Sequence, residues 1–155
     1  MQSRIPLQSS EFEAVYRAMR GLGATVGASG LENSLIELVK MRVSQINGCG
    51  YCLDMHSKDT RAAGETEQRL YLLQAWREAP LYSNRERAAL AWSEAVTRLT
   101  AGHVPDEVYT QASSQFNDAE LAALTLAVVE INGWNRFCIS FNVVPGSYTV
   151  GQHAA

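Results

Sequence analysis

Two of the three cysteines, Cys49 and Cys52, stand in a C-x-x-C pair, with His56 four residues beyond the second and Glu37 twelve before the first. If Cys49 begins a helix, then Cys49, Cys52 and His56 point to one face, because positions three and four apart on a helix are neighbours. A thiol that reduces a peroxide needs a thiolate to attack the O–O bond. It also needs an acid to protonate the departing oxygen and a second thiol to resolve the sulfenic acid. Two cysteines and one histidine at this spacing supply all three.

Two arguments about which cysteine attacks pull apart. A helix N-terminus favours a thiolate at Cys49, while the four-residue spacing gives the His56 imidazole to Cys52. A base that removes a proton is also placed to return it to the departing oxygen, which favours Cys52 as the attacking thiol and Cys49 as the resolving one. Lowering a thiol pKa from about 8.5 to about 6.5 raises its thiolate fraction at pH 7 about 25-fold, but the weaker nucleophile gives back about tenfold. Positioning and proton delivery therefore matter more than acidity. Glu37 enters here, as an acid that would hold the imidazole tautomer, directly or through a water.

The elements that must position these residues all read as helices. Capping boxes are expected at Ser10 with Glu13, Ser83 with Glu86 and Asn117 with Glu120. The first opens a helix over 11–21, followed by a glycine-rich loop to Gly30. A second helix is expected over 31–46, where Leu35, Leu38, Val39, Val43 and Ile46 form an apolar stripe. Asn47-Gly48 breaks it, and a third helix runs from Cys49 to Ala63, with Gly64 as a left-handed cap. Further helices are expected over 66–76, 84–99, 105–116, with Pro105 in the first turn, and 118–132. A last one covers 133–142, ended by Pro145-Gly146, and residues 147–155 read as a tail. No segment alternates as a strand, so the fold class is all-α, in one domain over 1–155 with a core at about 31–146.

An internal echo links two of these helices. Residues 44–52 (SQINGCGYC) align with 129–137 (VEINGWNRF), each at an expected helix–corner–helix turn after an apolar helix. Trp134 and Phe137 stand in the second copy where the cysteines stand in the first, and Ala122 stands for Glu37. Only the first copy carries the chemistry.

Composition excludes several function classes. The formal net charge is -3, charged residues are 19%, and Lys40 and Lys58 are the only lysines; no basic run marks a nucleic-acid or anionic-membrane surface. No apolar run approaches the ~20 residues of a membrane span, and the first residues lack a signal-peptide core, so a cytoplasmic protein is expected. In a reducing compartment a close cysteine pair reads as catalytic, redox or metal-binding rather than as a structural staple.

Glu37, the Cys49-x-x-Cys52 pair and His56, together with the RERAALAWSEAVT and INGWNR segments, resemble the AhpD-like branch of the carboxymuconolactone decarboxylase family over about 31–146. The resemblance implies an all-helical bundle, homo-oligomers such as trimers or hexamers, and thiol-dependent reduction of organic hydroperoxides with no cofactor, an external dithiol regenerating the enzyme. It implies Cys52 as the peroxide-attacking thiol, activated by Glu37 through His56 and water, and Cys49 as its resolving partner in a redox disulfide. The decarboxylase branch is not built on a cysteine pair.

Plainer readings stand beside these. The pair could be buried structural thiols, or a zinc site with His56, although a structural zinc wants a fourth ligand. A thiol-disulfide oxidoreductase or redox-sensing module would use the same disulfide without consuming peroxide. Cys138 reads as a core filler, His103 as a solvated loop residue, and His153 as part of the tail. Tyr51 is a pocket candidate, and Trp76, Trp92 and Trp134 read as core or subunit interface.

Overall fold

The computed structural model describes residues 2–153. Regular structure among them is helical: α1 (Glu13–Gly27), α2 (Asn33–Asn47), α3 (Gly50–Ala62), α4 (Glu67–Leu72), α5 (Asn84–Thr97), α6 (Asp106–Ser113) and α7 (Asp118–Ser140), with 3-10 turns at Leu73–Ala75 and Leu99–Ala101. None of these helices is long and apolar enough to cross a membrane.

Helix α2 is the central element and packs against α3, α5 and α7, while α1 lies along α7. Its apolar stripe, Leu35, Val39 and Val43, is buried together with Leu124, Ala127, Val128 and Ile131 of α7. Leu38 and Met41, on another side of α2, meet Leu70, Leu73, Trp76 and Leu90. A helix buried around most of its circumference is a rigid support, and α2 carries Glu37.

The corner after α2 is built as expected. Gly48 takes a left-handed φ of 69°, and the N–H groups of Gly48 and Cys49 reach back to the carbonyls of Gln45 and Ser44. This pairing satisfies the last carbonyls of the helix, at a φ that costs a side-chain-bearing residue more than glycine. Helix α3 ends in the same way, with Gly64 at φ 99° and bonds from Gly64 to Arg61 and from Glu65 to Thr60. The capping boxes at Ser83/Glu86 and Asn117/Glu120 are both formed.

Three expectations are corrected. The box at Ser10/Glu13 does not form; Phe12 precedes α1 without a side-chain cap, and α1 runs on through the glycines to Gly27. Gly23 and Gly133 serve close packing: a Cβ on Gly23 would sit 2.8 Å from a carboxylate oxygen of Glu130 on α7, and one on Gly133 would sit 2.8 Å from Met19 of α1. For the same reason the second Ile-Asn-Gly makes no corner, and α7 passes straight through it as one helix of 23 residues. The echo survives as a contact, since Asn47 donates to Asn132 at 3.0 Å.

The third correction concerns the C-terminal residues. From Pro145 onward the chain returns over α3. Gly146 N–H donates to Asp54 at 2.9 Å, Lys58 donates to the Tyr148 carbonyl at 2.9 Å, and the Tyr148 hydroxyl donates to Asp59 at 2.7 Å. Tyr148 is buried. Over its described residues, to His153, this segment is a strap rather than a tail.

Candidate active site

Cys49 occupies the N-cap position of α3 with extended backbone angles, so its sulphur lies at the positive end of the helix. Cys52 follows one turn on, and the two sulphurs are 2.8 Å apart as free thiols. Both residues are 1% exposed. A knot of amides fixes the corner that carries Cys49: Asn47 donates to Asn135 at 2.8 Å, and Asn135 donates to Ser44 at 3.1 Å.

His56 lies one turn beyond Cys52 and is buried. Its Nδ1 is 2.7 Å from Oε2 of Glu37, which α2 presents across the helix pair. The expected partnership of Glu37 and His56 is therefore direct. His56 Nε2 is buried without a partner, and no hydrogen bond joins it to Cys52. Lys40, one turn after Glu37, is 3.9 Å from Glu37 and 3.2 Å from Glu130. Burial pushes the Glu37 carboxyl up, but its bond to His56 and the charges of His56 and Lys40 outweigh that, so it lies below the usual carboxylate range.

Cys52 and His56 line a cavity of about 110 Å³, and Cys49 does not. The walls include Tyr51, Met55, Ile131 and Trp134, with His153 of the strap beside them. Tyr51 lines this cavity and is also buried in the core. Trp134, read as core or interface, is a wall of the cavity. His153, read as idle, has its Nε2 2.8 Å from the Tyr51 hydroxyl and its Nδ1 3.4 Å from that of Tyr16.

Cys138 also lines the cavity, and its sulphur, with those of Cys49 and Cys52, forms a group in which all lie within 4.8 Å of one another. It is part of the site as well as of the core. The thiols of Cys138 and then of Cys52 hold Cys49 down to about 3 against its burial, aided by the Cys52 N–H and the Asn135 side chain. Cys138 first, then Cys49 and burial, push Cys52 well above the ordinary thiol range. These contacts favour the thiolate on Cys49 over that on Cys52. His56 is not in the sulphur group, so the three-ligand zinc set of Cys49, Cys52 and His56 is not brought together; three sulphurs alone lack the fourth ligand of a structural zinc site.

Trp76 and Trp92 lie away from this cavity, as expected: Trp76 donates to Glu94 at 2.9 Å and Trp92 to Thr125 at 3.0 Å. His103 is exposed in a loop. Sequence reasoning missed Cys138, Trp134 and His153 as site residues. For the first two a signal existed: Ile131, Trp134 and Cys138 recur at three and four residues, one face of a continuous helix. His153 carried no signal.

A model of the carboxymuconolactone decarboxylase family matches residues 13–95. The uncharacterized protein YdfG of Bacillus subtilis is 45% identical over 112 residues, 72% of this chain and 76% of that protein. A crystal structure from Agrobacterium tumefaciens, of a protein of unknown function described as a candidate antioxidant defence protein AhpD, is 37% identical with a TM-score of 0.86. The match covers 95% of this chain and 100% of that one. The alkyl hydroperoxide reductase AhpD of Bradyrhizobium diazoefficiens is 49% identical over 39 residues, 25% of this chain and 21% of that protein.

Proposed function

The chain belongs to the carboxymuconolactone decarboxylase family as an AhpD-like member, and we propose that it is a thiol peroxidase that reduces organic hydroperoxides. The observation that carries this reading is the arrangement at the cavity. Of two thiols 2.8 Å apart, the one facing the cavity shares it with a histidine already bonded to a carboxylate. The largely apolar walls suit an alkyl or aryl hydroperoxide better than hydrogen peroxide.

In this reading the Cys52 proton passes to His56 Nε2 through the bound peroxide or a water, leaving a thiolate on Cys52. That thiolate attacks the terminal peroxide oxygen, the O–O bond breaks, and Cys52 becomes a sulfenic acid. The departing alkoxide takes a proton relayed from His56 Nε2, with Glu37 on Nδ1 fixing the ring and stabilising the imidazolium. Because His56 makes no direct bond to Cys52, the peroxide or a water fills the gap between them. Cys49 then attacks the sulfenic sulphur; a disulfide forms and water leaves. An external dithiol reduces the disulfide and resets the site, and the reading includes assembly as a trimer or hexamer, which sedimentation velocity measures.

The test is single-turnover consumption of cumene hydroperoxide by the reduced protein. Wild type should consume one equivalent and lose two hydrogens by intact mass. Cys52→Ser should consume essentially none, and Glu37→Gln and His56→Gln should slow the step about 10²-fold or more, the scale of a lost general acid. Wild type that forms its disulfide with dithiol exchangers but ignores peroxide would sink this reading in favour of a thiol-disulfide oxidoreductase.

A further inference from the structure

Cys138 has no part in the cycle just described, yet it is placed among the reacting atoms. It comes from the second half of α7, is 4% exposed, and lines the same cavity as Cys52. We propose that Cys138 is a third redox thiol of the site, which forms a disulfide with Cys52 when Cys49 is missing or already spent. This rests on the peroxidase reading for its oxidant but on the sulphur geometry for its chemistry.

The three sulphurs lie within 4.8 Å of one another. A disulfide needs about 2.05 Å, so the shortfall is at most about 3 Å, the size of the movement of a cysteine sulphur between staggered rotamers. Two routes are balanced. In the first, the Cys138 thiol attacks the Cys52 sulfenic acid; the S–S bond forms, the S–O bond breaks, and the thiol proton leaves with the hydroxyl as water. In the second, the Cys138 thiol attacks the Cys52 sulphur of a Cys49–Cys52 disulfide, its proton passing to the departing Cys49 sulphur, with no net oxidation. Exchange runs fastest when the leaving thiol is the most acidic, and Cys49, at the helix N-terminus, is the sulphur of the three best suited to leave. The result moves the disulfide onto the two cysteines that face the cavity.

The experiment uses the full-length reduced protein as Cys49→Ser and as Cys49→Ser/Cys138→Ser. Each is treated with one equivalent of cumene hydroperoxide and, separately, with the disulfide-forming oxidant diamide. The single variant should lose two hydrogens in both arms, and digestion with trypsin without reductant should join peptide 43–58 to peptide 137–155. The double variant should show no such link and instead gain one oxygen from the peroxide. A single variant that keeps its oxygen with peroxide and stays unlinked with diamide, or links only between chains, overturns the inference. If wild type ignores peroxide but the single variant links with diamide, the peroxidase reading falls and the third thiol stands.

Discussion

At the residue scale the thiols divide their work by position. The Cys138 and Cys52 thiols favour the thiolate at Cys49, which also sits at a helix N-terminus, whereas Cys52 faces the cavity and needs a proton taken from it. A thiol whose pKa is depressed to about 3 is ionised everywhere above that value. The thiolate absorbance of the reduced wild type should therefore stay flat from about pH 5 to about pH 8, where an ordinary thiol is only starting to ionise. Cys138 is the largest contributor to that depression, so Cys138→Ser should raise the Cys49 pKa and steepen the absorbance change toward the upper end of the interval. An unchanged curve would mean that Cys138 does not act on Cys49.

At the element scale, α2 is held to α5 by a buried ion pair. Arg42 Nε donates to Glu94 at 2.7 Å, and Trp76 and Arg77 donate to the same carboxylate at 2.9 and 2.7 Å. Burial alone would raise the Glu94 pKa, but these bonds lower it below its ordinary 4.5. A depressed carboxyl contributes stability that is fully present above the unfolded value and is lost as pH falls through the folded one. Denaturant midpoints should accordingly fall below about pH 4.5 in wild type, and less so in Glu94→Gln. Glu94→Ala leaves Arg42 buried without its carboxylate and should cost about 3–5 kcal/mol by urea unfolding. An effect under ~1 kcal/mol would show that water replaces the partner.

The same scale explains which parts of the fold were legible. The α2 stripe, Gly48, Gly64 and two capping boxes act through bonds a few residues apart, so their spacing alone reveals them. Gly23 and Gly133 carry no such local instruction. A glycine that ends a helix and one that admits a neighbouring helix have the same sequence signature, and only the approach of Glu130 and Met19 separates them. Breaking α7 at Gly133 also broke the phase that joins Ile131, Trp134 and Cys138, and with it the evidence that a third thiol faces the cavity.

For the whole molecule, the strap supplies part of the cavity wall. Its ties to Asp54, Lys58 and Asp59 lead to a histidine that lines the cavity and bonds Tyr51. Burial and then Arg20 push the His153 pKa down, so the ring stays neutral at pH 7 and can both donate and accept between Tyr16 and Tyr51. Truncation after Gly146 should open the cavity and speed modification of Cys52 by a bulky disulfide reagent several-fold. His153→Ala should give part of that gain without the loss of Tyr148 packing. Equal rates in all three proteins would show that the strap does not limit entry.

The sequence by itself determined the all-helical class and the α2–corner–α3 unit, and it marked Glu37, Cys49, Cys52 and His56 as the candidate site. Each depends on helical spacing and on backbone bonds between near neighbours. Only the tertiary structure decided that Glu37 reaches His56 directly, that Cys52 rather than Cys49 faces the cavity, and that Cys138, Trp134 and His153 complete it. Those facts depend on how α7 and the strap lie against α3, a matter of packing between segments about ninety residues apart, which spacing within one helix does not encode.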